Sequence, residues 1–300
     1  MSYQEGLGNK FNAWILASRP KTLPAAVSPV IVGSAFAYKY GEFILTAAIA
    51  AVLTALLLQI GANLANDVFD FFKGADITER LGPVRVTQAG LLSSKEVLAG
   101  MWISFGIAGI LGLYLFLRAG WLVLVIGLLS IIAAIAYTGG PIPLGYYGLG
   151  DLTVFIFFGP VAVCGTYFVQ ALELNIPIMI ASIPMGLLIT AILVVNNLRD
   201  IKTDTAVGKK TLAVMLGVVG TRYEYLICLL LAFSVPFIML YFGFVSLWVV
   251  LVMLALPFAF SLIRSVWIES GPILNKTLAG TGQLVLVFSL LFSVGVVIPL

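Results

Sequence analysis

Apolar runs of about 20 residues alternate with shorter polar segments along most of the chain. These runs predict about nine membrane-spanning helices, at roughly 23–39, 43–65, 98–117, 121–138, 151–171, 176–197, 223–242, 244–263 and 277–298. Before the first run, Phe11, Trp14, Ile15 and Leu16 are followed by Arg19 and Lys21, which predicts a short helix at the membrane interface. The pattern therefore predicts an all-α membrane protein with a single domain at 1–300, whose N-terminal segment 1–22 is interfacial.

The polar segments fall into two sets that differ in length and charge. The connections 39–42, 118–120, 172–175 and 242–244 are very short, and the other set comprises the N-terminus, 66–97, 139–150, 198–222 and 264–276. Only Lys39 and Arg118 of the 16 lysines and arginines fall in the short set. Because positive charge is retained on the cytoplasmic side, we expect the other 14 to face the cytoplasm, together with the N-terminus. This predicts a multi-pass protein of the inner (cytoplasmic) membrane, whose active-site loops 66–97 and 198–222 are cytoplasmic.

Composition narrows the class of protein further. The chain is 61% hydrophobic and 10% charged, which is too apolar for the surface of a soluble domain and requires a lipid bilayer as partner. A net charge of +3 without a basic tract argues against nucleic acid as a partner. Histidine is absent and both cysteines lie in apolar runs, so zinc, haem and histidine-based catalysis are disfavoured.

A group of amides and carboxylates ends the second apolar run. Asn63, Asn66, Asp67 and Asp70 follow at i, i+3, i+4 and i+7, so on a helix they share one face. Ionisable groups at a membrane boundary are costly and mark functional sites. Carboxylate and amide oxygens suit hard cations, so we expect magnesium carrying a phosphorylated ligand.

A second acidic face occurs at the end of the sixth run. Asn196, Asp200 and Asp204 are spaced i, i+4 and i+8, with Asn197 beside the first of them. Two such faces turned toward each other would hold two magnesium ions bridging a diphosphate and neutralising it as a leaving group. Basic residues that suit phosphate oxygens follow both clusters: Lys73, Arg80, Arg85, Lys209 and Lys210. The alternative to a metal–diphosphate site is that the aspartates are simply solvated and the lysines only determine the membrane topology. That alternative does not explain why asparagines lie within the apolar runs.

Taken together, these motifs resemble the UbiA superfamily of membrane prenyltransferases, and most closely its 1,4-dihydroxy-2-naphthoate polyprenyltransferase branch. The resemblance is carried by RPKTLP (19–24), NLANDVFD (63–70), GPVRVTQAG (82–90), YTGGP (137–141), GLGD (148–151), NNLRD (196–200) and GKKTL (208–212). It implies helices around a central cavity open to the cytoplasm and laterally to the bilayer. The implied reaction transfers a polyprenyl group from its diphosphate to the naphthoate with loss of CO2 and diphosphate, giving demethylmenaquinone.

The resemblance also implies roles for particular residues. The magnesium ligands would be Asp67, Asp70, Asp76, Asn196, Asp200 and Asp204. Arg85 matches the family's diphosphate-contacting arginine, and Tyr137 matches a tyrosine near the reacting centre. Gly74 replaces the usual last aspartate of the first motif, whereas the spacing of Asp76 fits the naphthoate branch. The Tyr-x-x-x-Lys motif of many relatives ends here in Pro141, so the role of that lysine is vacant or filled elsewhere.

Several assignments stay open at the level of the sequence. Either Asn63 or Asn66 fits the metal-facing position, and Asp151 either orients the aromatic acceptor or caps a helix. Candidate aromatics for shielding an allylic cation, each of which otherwise serves ordinary packing, are Phe69, Phe71, Phe72, Tyr137, Tyr146 and Tyr147. The acceptor is alternatively 4-hydroxybenzoate or homogentisate. From a different class, an ion-coupled transporter also carries intramembrane carboxylates, although here they cluster at one surface rather than at the midplane.

Overall fold

The computed structural model describes residues 10–74 and 81–299, and all regular structure within these ranges is helical. The helices are α1 (Lys10–Ser18), α2 (Leu23–Lys39), α3 (Leu45–Phe72), α4 (Ser94–Ala119), α5 (Trp121–Ala136), α6 (Gly150–Ile156), α7 (Gly165–Ala171), α8 (Ile176–Ala206), α9 (Leu212–Tyr241), α10 (Leu256–Ile268) and α11 (Leu274–Val297). A π-helix at Phe157–Cys164 joins α6 to α7, and a 3-10 helix at Leu247–Ala255 leads into α10. Shorter 3-10 turns lie at Pro20–Thr22, Leu144–Tyr146 and Gly271–Ile273.

Each predicted membrane span coincides with a helix or a continuous helical run. Among the described residues, seven runs are long and apolar enough to cross a membrane: Leu45–Phe72, Ser94–Ala119, Gly150–Ala171, Ile176–Ala206, Leu212–Tyr241, Leu247–Ile268 and Gly271–Val297. The two remaining predicted spans correspond to α2, of 17 residues, and α5, of 16 residues. The prediction of an all-α, multi-pass membrane protein is confirmed, and the count of nine is approximate.

The helices extend further into the polar segments than the hydropathy pattern predicted. Helix α3 continues to Phe72 and α8 to Ala206, while a short helical stretch already begins at Leu212 and is separated from the rest of α9 by a kink at Gly217 (φ 68°). The predicted loop boundaries 66–97 and 198–222 were therefore too wide, because backbone hydrogen bonding continues after the side chains turn polar. As a result, both acidic motifs stand on the last turns of long helices rather than on loops.

Two large buried cores hold the described part of the bundle together, and a third, small cluster of Ala47, Ala50, Leu115 and Val169 joins α3, α4 and α7. The larger one gathers side chains of α2, α7, α8, α9 and α11, including Phe36, Tyr167 and Phe288. The smaller one joins α1, α3 and α4, and there α1 packs so closely that a Cβ on Gly100 would lie 2.6 Å from the Trp14 ring. The predicted interfacial helix is thus α1, docked beside the helix that carries the first acidic motif.

The two basic residues of the short connections lie at the end of the bundle opposite the acidic motifs. Lys39 Nζ donates to the Phe244 carbonyl at 2.7 Å. Arg118 donates to the carbonyls of Val169 and Gln170 at 2.7 and 2.9 Å. Both side chains therefore satisfy carbonyl groups near helix ends that have no intrahelical partner.

Candidate active site

A cavity of about 760 Å³ runs through the bundle, with polar groups at one end and an apolar remainder. At the polar end the lining side chains include Asn63, Asn66, Asp70, Arg85, Tyr137, Asn196, Asn197, Asp200, Asp204 and Lys209. From there the cavity follows α4, α5 and the π-helix, past Leu128 and Phe158, to Leu174 in a short connection at the other end. The structure thus brings the two acidic motifs, 133 residues apart in sequence (Asp67 to Asp200), to one cavity mouth.

The Asp70 carboxylate collects donors from three separate segments. Arg85 Nη2 and Tyr146 Oη donate to its two oxygens, both at 2.6 Å, and Lys209 Nζ lies 3.5 Å from the oxygen that Tyr146 contacts. Asp70 is only 2% exposed, and a buried charge requires such partners. The sequence pattern placed Arg85 after this motif and Lys209 after the second acidic motif, and it assigned Tyr146 only to a group of candidate aromatics.

The Tyr146 ring lies close to the ammonium groups of two lysines. Lys209 Nζ is 4.4 Å and Lys73 Nζ 5.1 Å from the ring centroid, within the range of cation–π interactions. Lys73 also donates to the Gly140 carbonyl at 3.1 Å, next to Pro141. Desolvation lowers the pKa of Lys73; Asp70 opposes this shift and Lys209 adds to it. The cluster therefore gathers positive charge around an aromatic ring and a carboxylate.

The second motif is organised by Arg199. Its guanidinium binds both carboxylate oxygens of Asp200, at 2.8 and 2.5 Å, and the Asn196 amide oxygen at 2.8 Å. Its remaining contact, at 2.7 Å, is with Asn275 of α11, whose amide donates to the Leu81 carbonyl at 2.9 Å. No role in the site was predicted for Arg199, although its place in the NNLRD motif was a usable signal; Asn275 lies in no motif and had none.

The two asparagines of the first motif have different partners. Asn63 Nδ2 donates to the Ser18 carbonyl at 3.0 Å and to Thr22 Oγ1 at 3.1 Å. These contacts hold a turn in which Arg19, another lining residue, adopts a left-handed backbone with φ of 51°. Asn66 Oδ1 instead accepts from Thr138 Oγ1 at 3.0 Å, next to Tyr137. Both asparagines face the cavity, but the amide of Asn63 is engaged by the N-terminal turn.

Three other predicted site residues lie away from the cavity wall or outside the described residues. Asp67 accepts hydrogen bonds from the backbone amides of Val86 and Thr87, and Asp151 is buried with no hydrogen-bond partner for its Oδ1 among the described residues. Neither aspartate is among the described residues that line the cavity, and Asp151 does not cap α6. Asp76 falls within 75–80, outside the described residues.

Some of the candidate aromatics line the cavity, and the others are exposed or packed in a core. Tyr137 and Tyr146 line the cavity, whereas Phe71, Phe72 and Tyr147 are exposed. Phe69 packs against the smaller core. The Tyr137 ring fits closely against glycine backbone, because a Cβ on Gly150 would lie 2.9 Å from its hydroxyl.

The oxygen donors fit magnesium only if the substrate supplies further ligands. Among the described residues, no three Asp, Glu, His or Cys side chains converge on one metal position. Magnesium typically takes one or two protein carboxylates and completes its octahedron with water and substrate phosphates. Asp70 and Asn66 on one helix, across the cavity from Asp200 and Asp204 on another, would suit magnesium whose coordination a substrate phosphate completes rather than an all-protein cage.

The fold and the site together define a polytopic helical membrane protein with a polar site at the mouth of an apolar cavity. Residues 26–276 match the UbiA prenyltransferase family, and the chain belongs to this family. The resemblance drawn from the motifs is thereby confirmed.

Curated relatives and solved structures extend this relationship. The 1,4-dihydroxy-2-naphthoate octaprenyltransferase of Escherichia coli is 41% identical, with 96% of each chain covered. The enzyme of the same name from Mycobacterium tuberculosis is 40% identical over 83% of this chain and 84% of its own. A UbiA homolog from Aeropyrum pernix superposes with a TM-score of 0.68 at 14% identity, covering 93% of this chain and 98% of that one. A homolog from Archaeoglobus fulgidus, bound to GPP and Mg2+, gives 0.65 at 14% identity, covering 94% and 99%. These two structures share the fold of this chain.

Proposed function

We propose that this protein transfers a polyprenyl group from a polyprenyl diphosphate to 1,4-dihydroxy-2-naphthoate, giving demethylmenaquinone in its reduced, 1,4-dihydroxy (quinol) form. The observation that carries the proposal is the placement of both acidic motifs at the mouth of one long apolar cavity. Such a cavity suits a ligand with a highly charged head and a long apolar tail. The names of the relatives at 41% and 40% identity support the naphthoate as acceptor.

Asn66 and Asp70 on α3, with Asn196, Asp200 and Asp204 on α8, would hold two magnesium ions, and Asp76 is a further proposed ligand. When bound, these ions neutralise the diphosphate oxygens and so make the diphosphate a better leaving group. Arg85 and Lys209 already point their charged groups at Asp70, where they would contact the same diphosphate. We assign Lys73 and Asn197 to the surrounding substrate-binding shell.

The apolar part of the cavity would protect the reacting carbon from water. The allylic C–O bond breaks and its electron pair leaves with the diphosphate, while the cation lies near the rings of Tyr137 and Phe158. The naphthoate ring carbon that bears the carboxylate then bonds to the prenyl carbon. The C–COO⁻ bond breaks and its electrons restore the aromatic ring as CO2 departs. This substitution releases no ring proton, so it requires no base at that carbon.

We further propose that the polar end faces the cytoplasm and that the protein, a single domain over 1–300, resides in the inner membrane. The distribution of 14 of 16 basic residues on the segments at that end supports this orientation. The prenyl tail would extend along α4 and α5 toward Leu174, with lateral access from the bilayer. An ion-coupled transporter lacks support, because the charged lining groups lie at one end of the cavity only.

The test is a transfer assay with purified protein, a polyprenyl diphosphate, magnesium and three acceptors. We expect prenylated naphthoate only with magnesium present, and a loss of at least about 100-fold for Asp70→Asn or Asp200→Asn, the scale of a lost transition-state electrostatic contact. Glu42→Gln, an exposed carboxylate at the opposite end, is the matched control and should retain wild-type rates. Transfer to 4-hydroxybenzoate or homogentisate alone would refute the naphthoate assignment. No transfer to any acceptor would refute the enzyme proposal.

A further inference from the structure

We propose that Asp67 is a positioning residue rather than a metal ligand. Through the backbone of Val86 and Thr87 it fixes Arg85 against Asp70. This inference rests on the proposed function, because it assigns Arg85 and Asp70 to the diphosphate site. It departs from the sequence-based expectation that every aspartate of the first motif binds magnesium.

Both oxygens of Asp67 accept hydrogen bonds from consecutive backbone amides, whereas the partners of the Asp70 and Asp200 oxygens are side chains. Val86 N donates to Oδ2 and Thr87 N to Oδ1, each at 3.1 Å, and Asp67 is only 2% exposed. Charge-assisted hydrogen bonds of this kind are stronger than neutral ones. The carboxylate therefore lies against the segment after the first motif and not on the cavity wall, where Asn66 and Asp70 are found.

The anchored amides belong to the segment that places Arg85. Its guanidinium donates to Asp70 Oδ2 at 2.6 Å, and Asp67 and Asp70 are i and i+3 on α3. Helix α3 thus contacts the segment at two points. Asp67 binds the segment's backbone amides, and Asp70 binds the side chain of Arg85. Hydrogen bonds from Ala89 N to the Arg85 carbonyl (2.9 Å) and from Leu91 N to the Val86 carbonyl (3.0 Å) fold the segment into a compact turn.

An asparagine at position 67 would disturb this arrangement in a defined way. Its one amide oxygen accepts from a single backbone amide, while its NH2 group faces the other donor. A buried donor left without a partner costs on the order of 1–3 kcal/mol. The turn would then shift or loosen, and the Arg85 guanidinium would lose its fixed position beside Asp70.

The kinetic test compares Asp67→Asn, Asp70→Asn, Arg85→Lys and the double variant Asp67→Asn/Arg85→Lys. We expect Asp67→Asn to lower kcat/KM by about 10- to 100-fold with an unchanged half-saturating magnesium concentration, whereas Asp70→Asn raises that concentration. Because Asp67 acts through Arg85, its substitution should cost less than about 3-fold in the Arg85→Lys background. A raised magnesium requirement for Asp67→Asn, or losses that multiply in the double variant, would overturn the proposal.

Hydrogen–deuterium exchange of the protein without substrate separates this inference from the proposed function. Asp67→Asn should speed exchange in residues 85–90 by at least about 10-fold, while Asp70→Asn, the matched control on the same helix, should leave the amides of residues 86 and 87 protected. Asp67→Glu keeps two acceptor oxygens and should recover part of the protection. Wild-type exchange in Asp67→Asn refutes the anchoring, whatever the activity assay returns. If Asp67→Asn speeds exchange but the wild-type protein transfers no prenyl group, the anchoring by Asp67 stands and only the proposed function is refuted.

Discussion

Tyr146 contacts both the acidic and the basic groups of the site. Two substitutions at this position separate the effect of its hydroxyl on kcat/KM from the effect of its ring. Its hydroxyl donates to Asp70 Oδ1 at 2.6 Å, and its ring lies 4.4 and 5.1 Å from the ammonium groups of Lys209 and Lys73. Tyr146→Phe removes the hydrogen bond and keeps the ring. A hydrogen bond to a charged group contributes about 1.5–3 kcal/mol. At 1.36 kcal/mol per factor of ten, kcat/KM should fall about 10- to 100-fold.

Tyr146→Leu removes the ring as well. Each cation–π contact contributes on the order of 0.5–1 kcal/mol at a partly exposed site. The two contacts together amount to about 1–2 kcal/mol, so we expect this variant to lose about a further 5- to 30-fold relative to Tyr146→Phe. The assay is the initial rate of naphthoate prenylation at saturating magnesium, with thermal unfolding to confirm folding and Tyr147→Phe, an exposed neighbour, as the matched control. Wild-type kcat/KM for Tyr146→Phe, or equal losses for the two variants, would refute this account of Tyr146.

Three further substitutions probe other parts of the structure. Gly150→Ala places a Cβ 2.9 Å from the Tyr137 hydroxyl and should lower kcat at least about 10-fold. The control is Gly106→Ala, whose added Cβ has no atom within 4 Å, and this variant should be as active as wild type in the same assay. Asn275→Ala removes the hydrogen bonds that join Arg199 on α8 to α11 and to the Leu81 carbonyl. The rate of prenyl transfer should fall about 3- to 30-fold in steady-state kinetics. An unchanged rate would contradict a role for Asn275 in holding Arg199. Arg118→Ala removes two hydrogen bonds to carbonyls near the end of α7 and should lower the unfolding temperature while leaving kcat intact, which a thermal melt and a rate measured below the transition would check.

The helical membrane fold was predictable because burial in lipid requires long apolar runs, and those runs dominate this chain. The helix ends were less predictable, since α3 and α8 continue for several residues after their side chains turn polar. The π-helix at Phe157–Cys164 had no signal in the sequence, because the spacing of apolar side chains does not distinguish i+5 from i+4 hydrogen bonding. Hydropathy therefore located the elements but not their exact limits or local helix type.

For the candidate site, helical spacing predicted which residues share a face but not which partner each one meets. Asp67 and Asp70 lie one turn apart, yet one contacts backbone amides 19 and 20 residues away and the other a tyrosine 76 residues away. Such contacts depend on how distant segments pack, which a local pattern does not encode. The same reasoning explains why Asn275, far along the chain from either motif, gave no signal although it contacts Arg199.

The most direct test of the central claim is a structure of the protein with magnesium and a non-hydrolysable polyprenyl diphosphate analogue. The account predicts the diphosphate between α3 and α8, with magnesium contacted by Asp70 and Asp200, Arg85 on a phosphate oxygen, and the tail along the apolar cavity. A diphosphate bound away from both motifs, or bound there without contact from either aspartate, would contradict it.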